Sequence, residues 1–202
     1  MLFDADRENK TICALASAQG RAALSVIRLS GPNSFKIISQ ACPSLQSKNL
    51  ESHKVYLSKF YDLKKNFIDQ VVLTLYANGK SYTGEESVEI SCHGSPHITQ
   101  KILESLIDFG AVIAEKGEFT YRAFMNDRLD LIQAEAVLSV IESQSDSSLK
   151  VSLRQLEGKI SEKFTILEDH LTWCLAHIEA SIDFSTEGLD VVDTQVLINK
   201  LE

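Results

Sequence analysis

The sequence predicts an α+β chain: a mixed-sheet α/β part over residues 1–118, followed by long α-helices over 119–202. Three observations predict it. Apolar residues alternate with period two in several short segments of the first part. Turn residues punctuate those segments. From residue 122 onward the apolar period becomes 3.6. At 202 residues the chain has room for one large domain or two small ones, each with its own core.

Residues 11–16 and 22–29 read as strands, joined by a turn at Gly20-Arg21. In the second, Leu24, Val26 and Arg28 share one face, and Ala23, Ser25, Ile27 and Leu29 share the other. Gly31-Pro32-Asn33-Ser34 ends this hairpin and caps a short helix at about 34–42. Polar residues 43–53 form a loop. Residues 54–61 and 68–76 read as a second strand pair, Asn78-Gly79 as a turn, and 87–92 as a further strand. Ser95-Pro96 starts a helix, with Ser at the N-cap and Pro at the first helical position. Ile98, Ile102, Leu106 and Phe109 follow at helical spacing, and Gly110 supplies the stop. Residues 111–114 read as the last strand.

A helix is expected over 122–143, with Leu129, Ile132, Ala136, Val137, Val140 and Ile141 in one stripe. A longer stripe runs from Leu149 through Leu153, Leu156, Ile160, Phe164, Leu167, Leu171, Cys174 and Ile178 to Ile182. Its steps of three and four predict a single helix of about 50 Å. A narrow apolar seam of that length needs a partner helix. The other helices expected are 122–143 and a weak one near 193–202, so the bundle reads as incomplete.

Charge is unevenly placed. Residues 1–118 hold 13 acids and 13 lysines and arginines; residues 119–202 hold 15 acids and 7. The net charge of −8 therefore lies entirely in the helical part. An acidic segment repels phosphate backbones, so a direct nucleic-acid footprint is not expected. Cys13, Cys42, Cys92 and Cys174 form no CxxC and have mostly apolar neighbours, which points to free buried thiols in a reducing compartment. The first six residues lack a basic region followed by an apolar one, and no apolar run approaches the roughly 20 residues of a membrane span. The chain reads as cytoplasmic.

Three residues stand out as candidate binding groups. Glu89 sits between Val88 and Ile90 in an otherwise apolar or small strand. It either faces solvent or is fixed by a donor-rich ligand, such as a pterin or guanine ring, since an unpaired buried charge is costly. Arg28 either snorkels at a strand end or pairs a carboxylate or stacks on an aromatic ring. Arg128 carries the same two readings. Thr83-Gly84-Glu85-Glu86, just before the strand of Glu89, reads on its own as a polar turn. Cys92, His93 and His97 lack a further ligand at metal-site spacing, so no metal is expected. Asn78-Gly79-Lys80-Ser81 ends like a phosphate-binding loop, but Thr74 stands where the first glycine belongs. Asn199-Lys200-Leu201-Glu202 has Glu where a guanine-reading tetrapeptide has Asp. No GTP site, and no catalytic residue, is expected in this polypeptide.

Gly117 to Leu131 sets acids, an amide, Arg122 and Arg128 among apolar anchors where the pattern turns helical. With Thr83 to Glu89 and Ala180-Ser181-Ile182-Asp183-Phe184, it resembles the MnmE (TrmE) family of tRNA-modification GTPases. The blocks follow the family's TGE-x-x-V-E, GEF-x-x-RAF-x-N-x-(R/K)-LDL-x-QAEA and EA-x-IDF, in order, across the whole chain. The resemblance implies an N-terminal domain related to folate-binding one-carbon enzymes, which binds 5-formyltetrahydrofolate and makes a homodimer. A helical domain follows, interrupted in the family by a G domain. With an MnmG-like FAD protein the family modifies the wobble uridine of certain tRNAs, using folate-borne carbon, GTP hydrolysis, magnesium and potassium. By resemblance, the folate contacts map onto Arg28, Glu89 and Arg128, the last often Lys in the family. A further contact, from the C-terminal end of the helical domain, is not expected here. The chain stops where the resemblance places the start of the G domain, which would leave the long helix unpartnered. The family's Pro-Gly-Arg-Gly-Gly turn is replaced by Ala18 to Ala23. Two alternatives stand beside this reading: a stand-alone folate-dependent one-carbon transferase resembling the aminomethyltransferases, and a dimerisation scaffold with a vestigial pocket. The helical second part and the RAF-to-LDL block speak against the transferase.

Overall fold

The computed structural model describes residues 7, 9–46, 50–183, 196 and 198. Six strands form one sheet: β1 Ile12–Leu15, β2 Leu24–Ser30, β3 Val55–Tyr61, β4 Phe67–Tyr76, β5 Ser87–His93 and β6 Val112–Ile113. Their order is β3-β4-β5-β2-β1-β6. Every pairing is antiparallel except β1 with β6, so the sheet is mixed as expected. Helix α1, Ser34–Ala41, follows β2, and helix α2, Pro96–Asp108, follows β5.

The period of two divides the sheet into a covered and an open face. Ile27, Leu29, Val71, Leu73, Val88, Ile90 and Cys92 point into the core, against Ile37 and Ile38 of α1 and Ile102 and Leu106 of α2. Each fully buried aliphatic side chain contributes about 1.5–3 kcal/mol. The paired registers place Leu24, Arg28, Glu89, Ser91, Val72, Thr74, Val55 and Leu57 on the opposite face. The two faces of β2 match the alternation expected from its sequence.

The helices differ from expectation in one cap and two boundaries. Ser95 is the N-cap of α2, but its hydroxyl makes no capping bond; only its carbonyl accepts, from the Thr99 N–H. The helix expected over 122–143 is two helices, α3 Glu118–Met125 and α4 Leu131–Ile141. Asp127 breaks it by adopting a left-handed backbone, φ +54°. Asp130 then caps α4 through a reciprocal box with Gln133. The single helix expected from 149 to 182 is also two: α5 Asp146–Leu156 and α6 Lys159–Asp183. Gly158 separates them at φ +80°, a conformation that glycine adopts without strain. Gln133 spans the same turn from α4, its amide donating to the Leu156 carbonyl at 3.0 Å. Along α6, Phe164, Leu167, Leu171, Ile178 and Ile182 are exposed, and Cys174 is buried. The helix expected near 193–202 lies outside the described residues, save 196 and 198, as do Phe184 and residues 1–6.

The chain divides into two compact units, residues 1–129 and 130–202. Helix α3 belongs to the first, although the sequence pattern turns helical near 119. No helix among the described residues is long and apolar enough to cross a membrane.

Candidate functional site

The β2–β5 register sets Arg28 directly opposite Glu89 on the open face of the sheet. The Arg28 Nε and Nη2 groups both donate to Glu89 Oε1, at 3.1 and 2.7 Å. The two side chains keep 25% and 29% of their surface exposed, so the pair is reachable from solvent. Two rings flank the guanidinium: its central carbon lies 5.1 Å from the Tyr82 centroid and 5.7 Å from that of Phe119. Both are within cation–π range. The Tyr76 phenol belongs to the same face, on the β4 residue two beyond Thr74, which pairs with Glu89. Burial, and then the Glu89 charge, push that phenol above its ordinary range, so it stays a donor. Of the readings open for Arg28, pairing and stacking are both realised. Glu89 takes a course not foreseen, since its first partner is a protein arginine rather than solvent or ligand. A carboxylate offers about four lone-pair sites, so acceptor capacity remains for an incoming N–H donor.

Among the described residues no hydrogen bond or ion pair joins Arg128 to this pair. Its stem lies against the turn of Gly84: a Cβ added there would meet Asn126 Cβ at 3.0 Å and Arg128 Cγ at 3.2 Å. Gly84 has φ +78°, so the turn needs glycine for both backbone and space. Arg128 is exposed and makes no ion pair among the described residues. Arg28 and Arg128 are linked through one loop, which touches the first with Tyr82 and the second with Gly84.

The rest of the two sequence blocks holds the loop and α3 together. Arg122, 4% exposed, donates to both oxygens of Glu85, to Glu118, and to the carbonyls of Arg7 and Lys10. Glu118, 1% exposed, also accepts from Arg7 and from the Glu115 amide. Burial alone would raise the Glu118 pKa; the hydrogen bonds from Arg7, the Glu115 amide and Arg122 outweigh it and hold the carboxyl below its ordinary value. Ser30 spends its proton on Glu85, so Thr83 must donate in the 2.7 Å bond between the two hydroxyls. Glu86 accepts from the Phe35 N–H in the first turn of α1. Asn126 donates to the Thr83 carbonyl. Thr83-Gly84-Glu85-Glu86 is thus a built turn, and the density of polar groups in Gly117–Leu131 is largely architectural.

The remaining sequence candidates resolve plainly. His93 places its Nδ1 2.8 Å from buried Asp69, whose second oxygen takes the His93 N–H. Residues 78–81 form a turn closed by the Gly79 N–H on the Gly84 carbonyl, unlike a loop entering a helix. The four cysteines are free and buried. Burial pushes Cys13 and Cys42 up to about 12 and Cys92 to about 11. A cavity of about 610 Å³ lies elsewhere, between the β3–β4 turn and α2, with Lys64, Phe67, Lys101 and Asp108 in its wall.

Comparison with known proteins agrees with the order of the blocks. Residues 11–128 match the family model described as the N-terminus of the GTP-binding protein TrmE, and residues 131–202 match the MnmE helical domain. The chain belongs to the MnmE family. A tRNA modification GTPase MnmE of Bdellovibrio bacteriovorus is 51% identical over 198 residues, covering 98% of this chain and 41% of the relative. The MnmE of Akkermansia muciniphila is 43% identical over 192 residues, covering 95% and 43%. That of Thermus thermophilus is 37% identical over 191 residues, covering 94% and 44%. The chain therefore spans about two fifths of the length of the curated relatives it matches. The two family models meet between residues 128 and 131, where the compact units also divide.

Tyr76, Tyr82 and Phe119 were missed as site residues by the sequence reading. Tyr82 and Phe119 lie inside or beside the family blocks, and their adjacency was the available signal. Tyr76 lies two residues short of the Asn78-Gly79 turn, and only the β4–β5 pairing places it near Glu89.

Proposed function

We propose that this chain is the folate-binding and dimerising part of an MnmE-type tRNA modification GTPase. The observation that carries the reading is the Arg28–Glu89 pair: a partly exposed carboxylate with spare acceptor capacity beside a guanidinium within cation–π range of two rings. The ligand is 5-formyltetrahydrofolate or a related reduced folate. Its pterin amino and ring N–H groups donate to Glu89, and its flat ring lies along the Arg28 stack. Arg128, exposed and without an ion pair among the described residues, takes the carboxylates of the glutamate tail. A second copy covers the open sheet face, where Leu24, Val55, Leu57 and Val72 are exposed. The setting is the cytoplasm, which four free, buried thiols suit. GTP with magnesium and potassium, an MnmG-like FAD protein and tRNA complete the reaction, in which the one-carbon unit reaches a wobble uridine.

Titration of 5-formyltetrahydrofolate into the chain and into Glu89→Gln tests the site. Gln replaces one acceptor oxygen with a donor, so it opposes a pterin N–H. The loss expected is roughly 1.5–3 kcal/mol, about ten- to a hundredfold in affinity. Equal affinity in the two chains rejects the site. No binding by either favours a dimerisation scaffold.

A further inference from the structure

We infer that Tyr82 is a positioning residue, which sets the plane of the Arg28 guanidinium at the ligand site. The inference rests on the folate reading above. Both Arg28 donors go to the same oxygen of Glu89. Such a pairing lets the guanidinium pivot about that oxygen, whereas a fork onto two oxygens would fix its plane. Arginine also carries about 2 kcal/mol of rotamer entropy, and this one is partly exposed. Something else must hold it. Tyr82 is the nearer of the two flanking rings. Its hydroxyl lies 2.9 Å from Thr120 Oγ1 on α3, so the ring is tied at its far end. Its neighbour Thr83 is locked by its buried bond to Ser30 and by the Glu85 N–H that donates to its hydroxyl. The ring thus spans two anchored elements, the Tyr82–Glu86 turn and α3, and delivers their rigidity to Arg28. A reduced folate then meets a guanidinium already in the orientation its ring requires, without having to order that side chain itself.

A double-mutant cycle separates this role from a direct ligand contact and from a merely structural one. Affinity for 5-formyltetrahydrofolate is measured for the wild type, Tyr82→Leu, Arg28→Lys and the double variant, with a thermal melt of each. Arg28→Lys keeps a cation but lacks the planar fork that the ring holds. Tyr82→Leu should weaken binding by about three- to thirtyfold in the wild type and by less than about twofold in the Arg28→Lys background. Tyr82→Phe, which restores the ring but not the hydroxyl bonded to Thr120, should recover part of the loss and leave a deficit of about two- to tenfold. If the Tyr82→Leu chain does not fold, Thr120→Val carries the same cycle, removing only the partner of the hydroxyl. It should cost about two- to tenfold, again only where Arg28 is present. Losses that add in either cycle overturn the positioning role and leave the folate site standing. A wild type that binds no reduced folate removes the folate reading, and this inference with it.

Discussion

Burial pushes both Glu118 and Glu86 up, but their net shifts are opposite, because only Glu118 has arginines. Glu118 is held below its ordinary value of 4.5 once the pull of Arg7 and Arg122 is added to the burial penalty. Its contribution to stability is therefore fully present above the unfolded-state value and is lost as pH falls through the folded one. Glu86 is raised above 4.5 by burial, with only the Phe35 N–H opposing it. It takes up its proton at higher pH in the folded chain, so its ionised form opposes folding at neutral pH. Urea unfolding should show the contrast. Glu118→Gln leaves two buried or half-buried arginines short of charge and should cost about 3–5 kcal/mol at pH 7. Glu86→Gln keeps an acceptor for Phe35 and should be tolerated. A Glu118→Gln chain as stable as the wild type at pH 7 would contradict the buried network. The thiols give a second check. With Cys13 and Cys42 pushed up to about 12 and Cys92 to about 11, a thiol reagent at pH 8 should leave these three unmodified until the chain is unfolded.

At the scale of elements, the strands and the first two helices were legible and the breaks within the later helices were not. Alternation is a local signal, and the burial of Ser25, Ile27 and Leu29 against the exposure of Leu24 follows from it directly. The Arg28–Glu89 pair was only half legible. Each residue stood out alone, but their pairing depends on a β2–β5 register between residues 61 apart. The break at Gly158 escaped because the apolar steps Leu153, Leu156, Ile160 and Phe164 continue across it without a fault. What makes the break is Gly158 itself, with Gln133 closing the turn from α4. Gly158→Ala should lower stability by about 1–2 kcal/mol, since a Cβ there meets a left-handed backbone and Gln133 Nε2 at 3.3 Å. A thermal melt that rises instead would mean that α5 and α6 prefer to fuse into the continuous helix the periodicity suggests. Helix α3 was hidden for a different reason. Its buried side is built from Glu118 and Arg122, which bond to the chain itself, so no apolar stripe marks it.

On the scale of the whole molecule, the exposed apolar residues of the open sheet face and the Arg28–Glu89 pair occupy one surface. Dimerisation and ligand binding should therefore be sensitive to the same region. The chain should sediment as a dimer at tens of micromolar, and Val72→Asp should shift it to a monomer without unfolding it. A wild type that is monomeric at that concentration would contradict the assembly. The measurement that bears most directly on the site is a crystal structure of the 202-residue chain with 5-formyltetrahydrofolate. The ring N–H groups are expected within hydrogen-bond reach of the Glu89 carboxylate, with the pterin along the Arg28 stack and the tail carboxylates at Arg128. A folate seated instead in the cavity by Lys64 and Lys101, with Arg28 and Glu89 untouched, would contradict it.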